Sequence, residues 1–152
     1  MAIRKLGAIT GALMIVFIII GSLGPIDLYI SMIPAGIGDS IRFYTWGYTS
    51  TAGSVNMLTL QWPSCLIAWI TTISYLASTA MTISASTPGN VPKNAKRFFI
   101  LSAIFTMVHF TIYLLLLVFS TYRGILFSLL GPGFYALVLF SVSNIISFVR
   151  VQ

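Results

Sequence analysis

Residues 38–54 read GDSIRFYTWGYTSTAGS, the longest stretch of this chain that does not look like a membrane helix. It carries Asp39, Arg42 and aromatics at alternate positions, Tyr44, Trp46 and Tyr48, and it separates two long apolar segments. What lies on either side decides the fold class. Of 152 residues, 58% are hydrophobic and 7% are charged, and the mean hydropathy is +1.01. A soluble domain carries about 25% charged residues, so this surface cannot be covered with polar groups and the chain belongs in a bilayer. Glu is absent, and Asp27 and Asp39 are the only side-chain carboxylates.

A helix needs about 20 apolar residues to cross the hydrocarbon. Four segments meet that requirement, at 6–23, 62–83, 98–119 and 125–149. Gly24-Pro25 should kink or end the first. The fourth contains Gly131-Pro132-Gly133, which reads as a kink in one helix from about 125 or, alternatively, as the end of a loop over 120–133. The opening MAIRKLGAITGALMIVFIII resembles a signal peptide, with Arg4 and Lys5 before an apolar run. Its one plausible cleavage site, Ser22-Leu23-Gly24, is followed by Pro25, so the segment reads as a retained first helix. The chain, 1–152, reads as one domain: an all-α membrane protein with four transmembrane helices in an antiparallel bundle.

Basic residues set the expected orientation. Four spans place both termini on one side, together with Arg4, Lys5, Lys93, Lys96, Arg97 and Arg150, while the other side holds Arg42 and Arg123. The positive-inside rule then makes the termini and the 84–97 loop cytoplasmic and the 31–57 loop external. The formal net charge of +6 is therefore a topology signal. No basic cluster is dense enough to point to nucleic acid.

Several chemistries lack their residues. Proton-coupled transport usually needs ionisable groups within the membrane, and His109 is the only one at depth apart from the Cys65 thiol. One His excludes bis-histidine haem within the chain, a di-iron bundle needs Glu and His together, and zinc lacks its ligand set. A Cys65/His109 nucleophile pair is formally available, but the two fall at different depths. His109 reads as a hydrogen-bonding helix contact, or else as a ligand in a cofactor site shared with other subunits. No cofactor, metal site or catalytic residue is expected, and the lone cysteine rules out an internal disulfide. Asp27 and Arg123, both at the outer surface, either pair or remain separately hydrated.

Helix packing in lipid relies on small and polar residues. Gly7-x-x-x-Gly11 supplies them on the first helix; Thr71, Ser74 and Ser78, with Ala68, Ala77 and Ala80, supply them on the second; Ser143, Asn144 and Ser147 on the fourth.

The external loop has its own pattern. Residues 41–48 are rich in β-branched and aromatic types, 55–60 continue that style, and TSTAGS between them has turn composition, which predicts a short β-hairpin. Tyr44, Trp46 and Tyr48 then fall on one strand face. That face has three uses open to it: rest at the bilayer interface, packing on the helix ends, or contact with another protein.

A first outer loop with Trp46-Gly47-Tyr48, a basic inner loop and a short second outer loop, on four spans with a cytoplasmic N-terminus, resembles the claudin/PMP22 tetraspan group. That group's signature is Trp, then Gly-Leu-Trp and two cysteines; here both cysteines and the long disulfide-braced sheet are missing. The resemblance implies lateral assembly through the outer loop. The expected function is a non-enzymatic structural or assembly protein whose partners are membrane lipid and other membrane chains, as a homo-oligomer or in a larger complex. The alternatives are a small accessory subunit of a larger complex, respiratory or otherwise, and an oligomeric pore or transporter subunit suggested by the polar stripe Thr71, Ser78, Thr82.

Overall fold

The computed structural model describes residues 4–23, 41–50, 53–56, 62, 64–118 and 132–151. Among these are four helices, α1 (Lys5–Leu23), α2 (Ser64–Ser86), α3 (Pro92–Val118) and α4 (Pro132–Arg150), and three short strands, β1 (Ile41–Tyr44), β2 (Gly47–Ser50) and β3 (Gly53–Asn56). Three stretches are long and apolar enough to cross a membrane: Cys65–Ser86, Pro92–Leu116 and Gly133–Arg150. The corresponding apolar stretch of α1, Lys5–Ile20, is shorter.

Helix ends follow local chemistry. α3 and α4 both begin on proline, whose fixed φ suits the first helical position and whose missing N–H is not needed there. As a result α3 starts six residues before the expected boundary at 98 and takes in Lys93, Lys96 and Arg97. The 125–131 part of the expected fourth span lies outside the described residues. α2 ends in a Thr87-Pro88-Gly89-Asn90 turn closed by Asn90 N–H to Thr87 O (3.2 Å). The Ser84 carbonyl, without a partner four residues on at the helix end, accepts from Thr87 N–H (3.3 Å), Thr87 Oγ1 (2.7 Å) and Asn90 Nδ2 (3.0 Å).

The helices form a ring in which α1 and α3 each pack on α2 and α4. Neighbours run antiparallel: Arg4 bonds to Ala85 O, and Met14 lies against Tyr75 and Thr82. On the opposite side Phe110 packs on Phe134 with its ring tilted, while Asn144 reaches Ser102. The 87–91 turn, Arg4 and Val151 therefore gather at one end, and the sheet caps the other.

The inward stripes recur every three or four residues, as a helix face must: Ala68, Thr71, Tyr75, Ser78, Thr82, Ala85 on α2 and Phe99, Ser102, Thr106, His109, Tyr113 on α3. The interior is layered. Met14, Phe17, Tyr75, Tyr113, Phe134, Leu137 and Phe140 fill the half nearer the sheet, and Ala85, Ala95, Phe99 and Val151 fill the far end. Between them lies a polar belt. The outward faces are apolar, with Ile73, Leu76, Ile104, Leu139 and Val149 exposed. Such polarity, hydroxyls inside and aliphatics outside, suits lipid as the surrounding solvent.

Candidate functional site

Two features carry polar chemistry: the belt between the helices, and the turn of the sheet seated on the bundle.

Ser102 is the hub of the belt. Its Oγ lies 2.8 Å from Ser78 Oγ, 2.6 Å from Thr82 Oγ1 and 2.9 Å from Asn144 Nδ2, which donates to it. Ser78 Oγ is also 2.6 Å from Thr106 Oγ1, and Thr82 donates to Asn144 Oδ1 at 3.1 Å. All five side chains are fully buried, and three helices are tied together through them. Toward the sheet, His109 Nδ1 meets the Thr71 carbonyl at 2.8 Å. A carbonyl only accepts, so the hydrogen is on Nδ1. The His109 ring also lies edge-on to Tyr113, with centroids 4.8 Å apart.

Tyr113 carries the network out of the helices. Its hydroxyl donates to Tyr44 O at 2.7 Å, with Gly47 O at 3.3 Å and Thr71 Oγ1 at 3.4 Å. Beside it Thr72 Oγ1 donates to Thr45 O at 2.9 Å. Thr45 and Gly47 are buried against the helices. Thus the Tyr44–Gly47 turn presses onto α2 and α3, with its carbonyls turned toward hydroxyls of the bundle.

The sheet differs from the expected hairpin in register. It has three antiparallel strands in the order β1-β2-β3, with Tyr44 paired to Gly47 and Ser50 to Gly53. Residues 41–48 are not one strand: the chain reverses at Thr45-Trp46, and Gly47, at φ 147°, takes a conformation that side chains rarely adopt. The three aromatics consequently do not share a strand face by alternation. Tyr44 ends β1, Trp46 is in the turn, and Tyr48 is on β2 opposite Phe43. Tyr44 and Trp46 meet by stacking across the turn, with centroids 4.5 Å apart and planes 10° from parallel, and both remain half-exposed. The Tyr48 side chain lies outside the described residues.

The other sequence candidates are placed as follows. A Cβ on Gly7 would come within 2.5 Å of Ser86 Oγ and 2.6 Å of the Phe99 ring, and one on Gly11 within 2.9 Å of Ile83 Cγ1. Both glycines therefore mark close helix approach. Ser74 and Ser78 are buried. Asn144 and Ser147 on α4 are buried, while Ser143 is half-buried and Ala80 faces out. Asp27 and Arg123 lie outside the described residues. Cys65 is buried six positions before Thr71, roughly 9 Å along the helix axis, whereas His109 bonds to Thr71 itself. Among the described residues no three His, Cys, Asp or Glu side chains gather as a metal site would require.

Ser102, Thr106, Tyr75, Tyr113 and Thr72 were not singled out by sequence reasoning. The signal was present on α3, where Ser102, Thr106, His109 and Tyr113 recur every three or four residues inside an apolar run. No protein-family model matches the chain, and comparison with curated proteins and with solved structures returns no match.

Proposed function

We propose that this chain is a non-enzymatic integral membrane protein that assembles laterally, with the stacked Tyr44–Trp46 pair as its principal protein contact. The observation that carries the reading is the seating of the turn. Recognition by a small loop is costly when the loop must be ordered on binding. Here Tyr113 and Thr72 hold the carbonyls of Tyr44 and Thr45, so the aromatic pair is presented ready-made. Half-exposed Trp and Tyr side chains are the types that concentrate interface energy.

In this reading four spans cross the bilayer, the Arg4 end is cytoplasmic by its basic residues, and the sheet is external. The resemblance to claudin/PMP22 tetraspans agrees with assembly through that loop. The polar belt supports the same reading over a pore. Thr71, Ser78 and Thr82 are fully buried, and Ser78 and Thr82 are bonded to side chains of α3, so these hydroxyls act as glue between helices.

The mass of the native particle tests this. Extracted with its surrounding lipid, a 16.6 kDa chain that assembles laterally runs as a multiple of itself or with other chains in fixed ratio. A particle holding a single copy and no other protein would overturn the proposal.

A further inference from the structure

At the end of the bundle away from the sheet, Arg4, Lys5, Leu6, Gly7, Ser147, Arg150 and Val151 line a pocket of about 240 Å³ between the start of α1 and the end of α4. Among the described residues its cations meet no carboxylate side chain. Asp27 and Asp39 both fall in the connection that follows α1, so no Asp or Glu side chain occurs among the described residues. The Arg4 guanidinium is fixed by carbonyls, with Ala85 O at 2.9 Å from Nη1 and Asn90 O at 3.1 Å from Nη2. Carbonyl dipoles orient a guanidinium without cancelling its charge, and its five N–H donors exceed those contacts. Lys5 and Arg150 are exposed at the rim.

A second, independent feature is Ser147. Its hydroxyl is buried, at 4% exposure, and has no hydrogen-bond partner among the described residues. This is unlike most of the buried hydroxyls of the bundle. Thr10, Thr71, Thr79, Ser86 and Thr106 each donate to the carbonyl four residues back. Ser147 does not, and it lines the pocket. Lys5, Leu6 and Gly7 add the first N–H groups of α1, which have no acceptor within their own helix and favour an anion.

We infer that this pocket binds the phosphate of an anionic phospholipid headgroup. The volume falls below the ~300–1,000 Å³ typical of sites for drug-sized molecules, so it suits a headgroup rather than a whole lipid. The acyl chains have a route outward. Ile9 and Leu13 continue the Lys5 stripe at four-residue spacing on α1, as Ile146 and Val142 continue that of Arg150 on α4, and all four are exposed. The positive-inside rule puts this end in the cytoplasmic leaflet, where anionic lipids concentrate. The inference rests on membrane placement and is independent of lateral assembly through the sheet.

The test is a thermal-melt titration of the full chain in neutral detergent with short-chain phosphatidylglycerol, the matching phosphatidylcholine, and inorganic phosphate. Phosphatidylglycerol should raise the melting temperature saturably, with at least tenfold higher affinity than either other probe. Lys5→Gln combined with Arg150→Gln should lower that affinity at least tenfold and leave the lipid-free melting temperature in place, since both side chains are exposed. Ser147→Ala should lower it about threefold while matching or exceeding the wild type in lipid-free melting temperature. Equal response to the two lipids, or undiminished binding by the double variant, would overturn the site. Inorganic phosphate binding as tightly as phosphatidylglycerol would show a free-anion site and overturn the lipid assignment.

Discussion

The hydroxyl of Tyr113, on α3, lies 2.7 Å from the backbone carbonyl of Tyr44, at the end of β1. One side chain buried in the helices thus fixes the position of a turn outside them. Because Tyr113 also packs its ring on His109, the seat of the sheet and the interior of the bundle are one structure.

Removing that hydroxyl should loosen the sheet without unfolding the helices. Tyr113→Phe is expected to cost about 1–2 kcal/mol, the effect of losing a buried hydrogen bond. Amide exchange over residues 41–50 should accelerate clearly while α2 and α3 stay protected. Unchanged exchange in the sheet would show that Tyr113 does not hold it.

Ser102 should be the most sensitive polar residue of the belt. Ser102→Ala withdraws the shared partner of Ser78, Thr82 and Asn144. Single interhelical bonds in membrane proteins are worth roughly 0.6 kcal/mol, up to about 1.7, so a hub should cost about 1–2 kcal/mol. Ser143→Ala, at a half-buried neighbour, should be nearly silent. Reversible unfolding in mixed micelles measures both, and equal effects would remove the hub from the account.

Gly7 and Gly11 separate by what surrounds them. A methyl on Gly7 meets the ring of fully buried Phe99, whereas one on Gly11 meets the flexible and partly exposed Ile83. Overpacking of this kind costs about 1–3 kcal/mol, so Gly7→Ala should fall in that range and Gly11→Ala below it. Micelle unfolding in which Gly11→Ala is the more damaging would contradict the observed approach of Gly7 to Ser86 and Phe99.

His109 is expected to act as a hydrogen-bonding contact. His109→Gln should cost about 1 kcal/mol and leave the mass of the assembly unchanged. Loss of a bound haem or metal from the purified complex on that substitution would favour a shared cofactor site.

The apolar stretches of the helices could be read from composition, because a span must hold about 20 apolar residues whatever its neighbours are. The start of α3 could not be read that way. Counting apolar residues stops at Arg97, while the helix is set by Pro92, whose geometry admits three cations into the first turns. The strand character of 41–48 and 55–56 was legible from its β-branched and aromatic residues, but its first reversal was not, nor were the strand residues Thr49, Ser50, Gly53 and Ser54 within the stretch of turn composition. Thr45-Trp46 carries no residue typical of a hairpin turn, and the clue lay next door in Gly47. The hydroxyl stripe of α2 was visible, yet its partners on α3 and α4 come from residues 20 and 62 positions away. Only packing brings those together.

The most direct measurement of lateral assembly through the turn is the stoichiometry of co-purifying chains with Trp46→Ala. That variant leaves the spans and their flanking basic residues intact, so insertion should be unaffected. Binding energy concentrated on the stacked pair predicts association weakened by about 2 kcal/mol or more, seen as a particle that loses its neighbours on dilution while the bundle stays folded. A Trp46→Ala particle with unchanged stoichiometry across the same dilution would contradict a contact role for this turn.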